Sequence, residues 1–355
     1  MCYPLRFDIH GIIEIVLRTN CRAVREYLSN EYAAASAGAA GRRPSERTIF
    51  VEVFIRSHPK APSTVKWVRE TYRGLIPYSY AFEDLSAPSS QISICIPRPY
   101  TTVFGRYCGM LVHDLIEPLI YFKVLDLGWY LLYASCVASD DGAVALAASG
   151  GVGKTTMMLH MLHGGYSFVS DDQTLVRSDG RVVPFPRAAK ISLFHLKRFP
   201  GLKVPVHTVA RMYFRSAGRA VARGLFGWKL TLPTTLHVKS LMPAVKATDS
   251  PALRQLVMLS KDGPAVRHFN VSSTADRSQV VERLLAMCDH RASLQRLILV
   301  DHPDLLHDMQ RREEAVLGAI LQRLSIVIWL NVRCLDLDGI TGAIDVLSEG
   351  KMSKS

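Results

Sequence analysis

Between residues 181 and 248 the chain has no Asp or Glu at all, yet it carries 13 Lys and Arg there. The remaining residues hold 30 basic and 31 acidic side chains, so the whole net charge of +12 comes from this one segment. A stretch so uniform in sign cannot ligate a cation with its own carboxylates, and it suits an anionic partner: nucleotide phosphates, an acidic peptide or nucleic acid. Arg211, Arg215, Arg219 and Arg223 recur every four residues, which lines them along one helical face, where a solvated basic helix is the simpler account. Its few aromatics and the lack of a reader motif argue against nucleic acid. Other absences narrow the class further. The seven cysteines form no C-x-x-C pair and the histidines have no metal-ligand spacing, so neither a disulfide framework nor a zinc site is indicated. No basic-then-apolar leader opens the chain, no window of about 18 residues is free of charge, and no repeat is visible. The expectation is therefore a cytoplasmic protein without a membrane span, its oligomeric state left open with a homo-oligomer among the possibilities.

What is present centres on residues 142–172, GAVALAASGGVGKTTMMLHMLHGGYSFVSDD. Ala143 to Ala148 is an apolar run of strand length, and Ser149-Gly150-Gly151-Val152-Gly153 supplies residues that let the backbone turn tightly and aim its N–H groups inward. Lys154 follows as a point charge for β/γ-phosphates, Thr155 as a hydroxyl for Mg²⁺, and a helix from Thr155 to about His163 would direct its N-terminus at the same place. This is a Walker A P-loop in which Ala148 takes the first glycine position. Gly164-Gly165 should stop the helix, and Tyr166 to Ser170 should form a strand beside the first in a parallel βαβ unit, delivering Asp171 and Asp172 to the phosphate side. Two carboxylates there can divide the work, one holding Mg²⁺ and one taking a proton from an attacking hydroxyl. Asp171 is read as the base and Asp172 as metal-linked, with strand alternation leaving open which of them faces the nucleotide.

The run Ala148 to Thr155, followed after an apolar strand by Ser170-Asp171-Asp172, resembles the HPr kinase/phosphorylase superfamily, and within it the branch that phosphorylates peptides and proteins. The similarity covers about residues 130–190. It implies ATP and Mg²⁺ as cofactors, a serine hydroxyl as acceptor, and roles for Lys154, Thr155, Asp171 and Asp172. The chain departs from the family where a histidine is common and Tyr133 stands, where an acidic residue often follows and Thr156 stands, and in lacking the HPr-specific segment. The expected function is an ATP- and Mg²⁺-dependent serine kinase acting on a peptide or protein acceptor, which the basic segment suits if it is acidic. The alternative is a P-loop ATPase or nucleotide-gated binding protein. Ser149 to Thr156 would hold the nucleotide, and Arg187 and Lys190, close behind the aspartates, would meet developing phosphoryl charge.

The expected fold is α/β: a P-loop kinase core of mixed sheet with flanking helices over residues 126–355, and an N-terminal α+β region over residues 1–125, suited to acceptor recognition. In that region Phe7 to Leu17 and Thr48 to Ile55 read as strands, Arg22 to Ala35 as helix, Ala35 to Glu46 as a mobile loop, Ser79 to Ser90 as loop, Gln91 to Pro99 as strand, and Leu111 to Leu125 as a packed helix kinked at Pro118. Trp129 to Val137 and Ala143 to Ala148 flank ASDDG as a hairpin, and Thr174 to Val176 with Arg181 to Val183 read as another. Later elements are strands at Leu253 to Leu259, Val266 to Val271 and Ser325 to Val332, and helices at Ser278 to Cys288, Asp304 to Leu324 and Ile340 to Leu347.

Overall fold

The computed structural model describes residues 3–36, 45–56, 66–187, 189–214, 216, 234–236, 238–242, 246, 248, 250–297, 303–334 and 337–348. The expected loop at 35–46 falls largely outside these residues, as do Arg215, Arg219 and Arg223. The chain divides into two compact units: Met1–Leu131 with Leu175–Asp179 and Val281–Ile320, and Leu132–Thr174 with Gly180–Val280 and Leu321–Ser355. Residues 281–320 thus group with the N-terminal part, although their place in the chain assigns them to the other.

The first unit begins with β1 (Leu5–Ile9) and β2 (Ile13–Thr19), an antiparallel hairpin whose apolar residues are buried. Helices α1 (Arg22–Glu31) and α2 (Ala33–Ser36) follow, then β3 (Arg47–Ile55), β4 (Val68–Tyr72), β5 (Ile76–Glu83) and β6 (Ser89–Ile96). These strands form a six-stranded sheet in the order β1-β2-β3-β6-β5-β4, parallel at β2/β3 and β3/β6 and antiparallel elsewhere. The stretch from Ser79 is strand where loop was expected, because β5 alternates buried and half-buried side chains only once paired to β6. After α3 (Arg98–Val103), helix α4 (Gly105–Leu125) runs 21 residues with Pro118 inside it, and every residue from Leu115 to Leu125 is buried. β7 (Trp129–Leu132) ends this part.

The second unit carries β8 (Ala134–Ser139) and β9 (Gly142–Ala147), the expected hairpin, then α5 (Lys154–His163) and β10 (Ser167–Ser170). After β11 (Thr174–Arg177), which groups with the first unit from Leu175 on, strands β12 (Val182–Pro184) and β13 (Ala189–Ile191), helices α6 (Leu193–Arg198), α7 (residues 206–214) and α8 (Val238–Leu241), and β14 (Thr234–Leu236) lead to β15 (Leu253–Ser260) and β16 (Val266–His268). In chain order α9 (Thr274–Ala286), α10 (Asp289–Leu297) and α11 (Pro303–Leu321) come next, the last two belonging to the first unit, and β17 (Ile326–Asn331) and α12 (Leu337–Ser348) return to the second. The main sheet has the order β10-β8-β9-β15-β17-β16, parallel at β9/β15 and β15/β17. One expectation is corrected here: β10 does not lie beside β9. It pairs antiparallel with β8, which occupies that edge of β9, so β10 runs parallel to β9 at one strand's remove. The fold is thus α/β with mixed multi-strand sheets and flanking helices. Among the described residues, no helix is long and apolar enough to cross a membrane.

Ten residues is shorter than an isolated helix needs to persist in water, so α5 depends on packing. It buries Met157, Met158, Leu159, Met161 and Leu162 against the sheet, each worth on the order of 1.5–3 kcal/mol. Gly164 ends it by donating to the His160 carbonyl, and Gly165 turns the chain at φ 97° while Tyr166 donates to Met161.

Candidate functional site

Ser149 to Gly153 joins β9 to α5 at the C-terminal edge of the parallel strands β9, β15 and β17, the edge where an open α/β sheet leaves a crevice. Gly151 and Gly153 have φ of 77° and 123°, a left-handed backbone that side chains resist, and a Cβ built on Gly150, Gly151 or Gly153 would meet no atom within 4 Å. The turn therefore presents bare backbone to open space. That space is a cavity of about 690 Å³, lined by Ser149 to Met157 on one side and by Asp172 and Lys190 on another, with Leu259 and Val332 at the strand ends.

Lys154 is the first residue of α5 and is buried. Its Nζ donates to the Ala148 carbonyl at 2.6 Å, lies 3.8 Å from the centroid of the Tyr133 ring, and is 3.9 Å from Asp172 Oδ1. Tyr133, the position at which the sequence resemblance implies histidine, is thus an aromatic platform under a cation. Ala148, where the motif has glycine, is fully buried and serves through its carbonyl.

The two aspartates follow β10 and point to different partners. Asp171 is buried among hydroxyls: Ser135 Oγ donates to Oδ1 at 2.6 Å, and Thr155 Oγ1 lies 3.1 Å from both carboxylate oxygens. Burial, and then the neighbouring Asp172 charge, raise its pKa above the ordinary value for aspartate. Asp172 lines the cavity and gathers cations, with Lys190 Nζ at 2.7 Å and Arg187 Nη1 at 3.0 Å on Oδ2. Burial pushes its pKa up, but Arg187, Lys190 and Lys154 outweigh that and hold it at about 2. Neighbouring carboxylates are therefore driven apart in basicity, as in sites where one acid must stay charged and the other must exchange a proton. Asp172 has φ 66°, a left-handed conformation for a residue with a side chain, and this turn sends the two carboxylates in their separate directions.

The expected residues are thus placed as follows. Ser149, Gly150, Gly151, Val152, Gly153, Lys154, Thr155, Thr156, Asp172 and Lys190 line one cavity; Asp171 sits behind Thr155; Arg187 reaches the site through Asp172. Thr155 contacts Asp171, whereas Asp172 is engaged by the three cations. Two groups went unnoticed in the sequence. Ser135 is one, a strand residue with no motif to mark it. His195 is the other: Ser192 N–H donates to its Nδ1 at 3.0 Å, so the pattern assigns the ring proton to Nε2, which donates to Thr156 Oγ1 at 3.2 Å. Burial lowers the His195 pKa, which keeps the ring neutral. Ser192 and His195 form a capping box with histidine where glutamate or glutamine is usual, the variation that hid it.

Hard oxygen donors suit Mg²⁺, which keeps several waters and needs few carboxylates: Thr155 and Asp172 line the cavity, and Asp171 contacts Thr155 from behind. Among the described residues no group of three or more His, Cys, Asp or Glu is arranged for a metal, which leaves no cage of the zinc type. A comparison with models of known families matches none of them, and a comparison with curated proteins finds no match either.

Proposed function

We propose that this chain is an ATP- and Mg²⁺-dependent kinase that transfers the γ-phosphoryl group to a serine hydroxyl of a peptide or protein. The observation that supports it best is the pair Asp171 and Asp172, adjacent in sequence and opposite in basicity, set beside Lys154 and Thr155 at a glycine turn that opens on a cavity. Nucleotide binding alone has no use for a carboxylate kept basic, whereas an acceptor hydroxyl needs one.

In this reading the P-loop amides of Ser149 to Gly153 and the N-terminus of α5 cradle the phosphates. Lys154 and Lys190 supply the cations that meet charge on the transferring group, Arg187 backs them through Asp172, and Thr156 closes the turn. Mg²⁺, when bound, would neutralise phosphate charge and orient the γ-phosphoryl group. Asp172 stays ionised and anchors the cation array. Thr155 donates to Asp171, and its hydroxyl, with Asp172, would hold Mg²⁺; burial beside the Asp172 charge keeps Asp171 the more basic of the two carboxylates. Asp171 then accepts the proton of the attacking serine.

Purified chain incubated with γ-labelled ATP, Mg²⁺ and candidate peptides tests the reading. Label on an acceptor serine is the expected outcome. Label released only as free phosphate replaces the kinase with the ATPase, and no nucleotide affinity by calorimetry removes both.

A further inference from the structure

Helix α7 is buried on one side and carries apolar residues on the other. Thr208 and Met212, one turn apart, are buried, and Met212 belongs to the core cluster beneath the site. On the opposite side Val206, Tyr213 and Phe214 are 84%, 55% and 79% exposed, with Ala210 exposed between them. A surface helix ordinarily turns polar residues outward, so this outer face is the anomaly. Phe194 on α6 is also 60% exposed, so half of the exposed large hydrophobic side chains among the described residues fall between 194 and 214. Lys197, Arg198, Lys203 and Arg211, all exposed, are interleaved with them in a segment that has no acidic residue. Phe194 and Arg198 also line the cavity, and seven residues separate Arg198 from Val206.

We infer that the outer face of α7, continued by α6, is the docking surface for the phosphoryl acceptor, an extended peptide segment in which carboxylates alternate with apolar side chains. The inference rests on the kinase reading for the word acceptor. Exposed aromatic and aliphatic side chains give such a segment desolvated anchors, and the flanking cations select its charge. Phe194 and Arg198 of α6 line the cavity, so a segment held on α6 has its next residues at that cavity. Stacking on single-stranded RNA would use Phe194, Tyr213 and Phe214 but has no use for Val206 and Ala210, and a membrane surface would have no reason to lead into the cavity.

The test uses the full chain and fluorescence anisotropy without nucleotide. Probes are a labelled peptide alternating Asp and Leu around one serine, its Asn counterpart, oligouridylate, and vesicles of phosphatidylcholine with phosphatidylserine. The acidic peptide should bind at least about tenfold more tightly than the Asn peptide. The double substitution Val206→Ser with Phe214→Ser should weaken the acidic peptide by about tenfold or more, and Arg211→Glu alone should do so too, with circular dichroism and calorimetric ATP affinity unchanged. Equal binding of acidic and Asn peptides, or affinity untouched by these exposed changes, overturns the inference. So does binding of oligouridylate or vesicles that the substitutions weaken more than they weaken the peptide. Peptide capture by this face in a chain that binds no ATP would sink the kinase reading and leave the surface standing, whereas ATP binding with no peptide capture would do the reverse.

Discussion

The two units rest on six-stranded sheets with the same pattern of directions, two adjacent parallel pairings bordered by antiparallel ones, and each unit buries carboxylates. In the first unit Glu313 on α11 is fully buried, accepts from Tyr121 on α4 at 2.5 Å and from Arg291 on α10 at 3.0 Å, and so ties three helices together. Lys123, buried nearby on α4, donates to the carbonyls of Leu85 and Ala87, and burial lowers its pKa to about 8. Each of these groups spends its capacity on protein partners. In the second unit Asp172 is as firmly paired, yet its pairing faces a cavity, and Asp171 is held by hydroxyls that can turn elsewhere. Burial shifts a pKa in both units; access to a ligand, and partners able to exchange, separate a site from a strut.

The comparison can be broken at several places. Asp171→Asn should reduce phosphoryl transfer by on the order of 10²–10⁴-fold while leaving Tm unchanged or raised at neutral pH, since a carboxyl with raised pKa is destabilising once ionised. Single-turnover transfer beside a thermal melt checks it, and normal transfer would remove Asp171 from the chemistry. Asp172→Asn should behave oppositely in stability, costing about 3 kcal/mol at pH 7 because three cations lose their counter-charge. Its folded pKa is depressed, so the stabilisation is present above the ordinary aspartate value near pH 4 and fades as pH falls towards 2. Denaturant melts of wild type and variant should therefore converge over that window, and a constant gap would refute the assignment. Lys154→Ala should lower turnover by about 10²-fold with the fold retained. Glu313→Gln sharpens the contrast: about 1–2 kcal/mol of stability lost, from a donor turned against Arg291, with ATP affinity by calorimetry unaltered.

Local signals in the sequence carried the turn and α5, where glycine spacing, the Lys154-Thr155 pair and the Gly164-Gly165 stop act over a dozen residues. β8 and β9 were legible for the same reason, as a hairpin with its turn written in ASDDG. The position of β10 was not, because insertion of β8 between it and β9 is a choice among long-range pairings that no local pattern encodes. Nor could the chain reveal that α10 packs on α4, since residues 281–320 have ordinary amphipathic composition. At the candidate site, Lys154, Thr155 and the aspartates stood out by motif and Tyr133 as a departure from the resemblance, whereas Ser135 became visible only when β8 brought it to Asp171. Arg187 and Lys190 were expected to face phosphate, and their grip on Asp172 adds a partner that depends on β13 folding back.

The left-handed backbone at Asp172 also dictates how this position can be probed at all. Alanine there would combine two injuries, loss of the carboxylate and a backbone that a Cβ without a polar tip tolerates poorly. Glycine would relieve the backbone and so mask part of the electrostatic loss. Asparagine alone shares the tolerance of aspartate for this conformation, so the Asn variant isolates charge from geometry, and the difference between Asn and Ala at residue 172 measures the conformational strain directly.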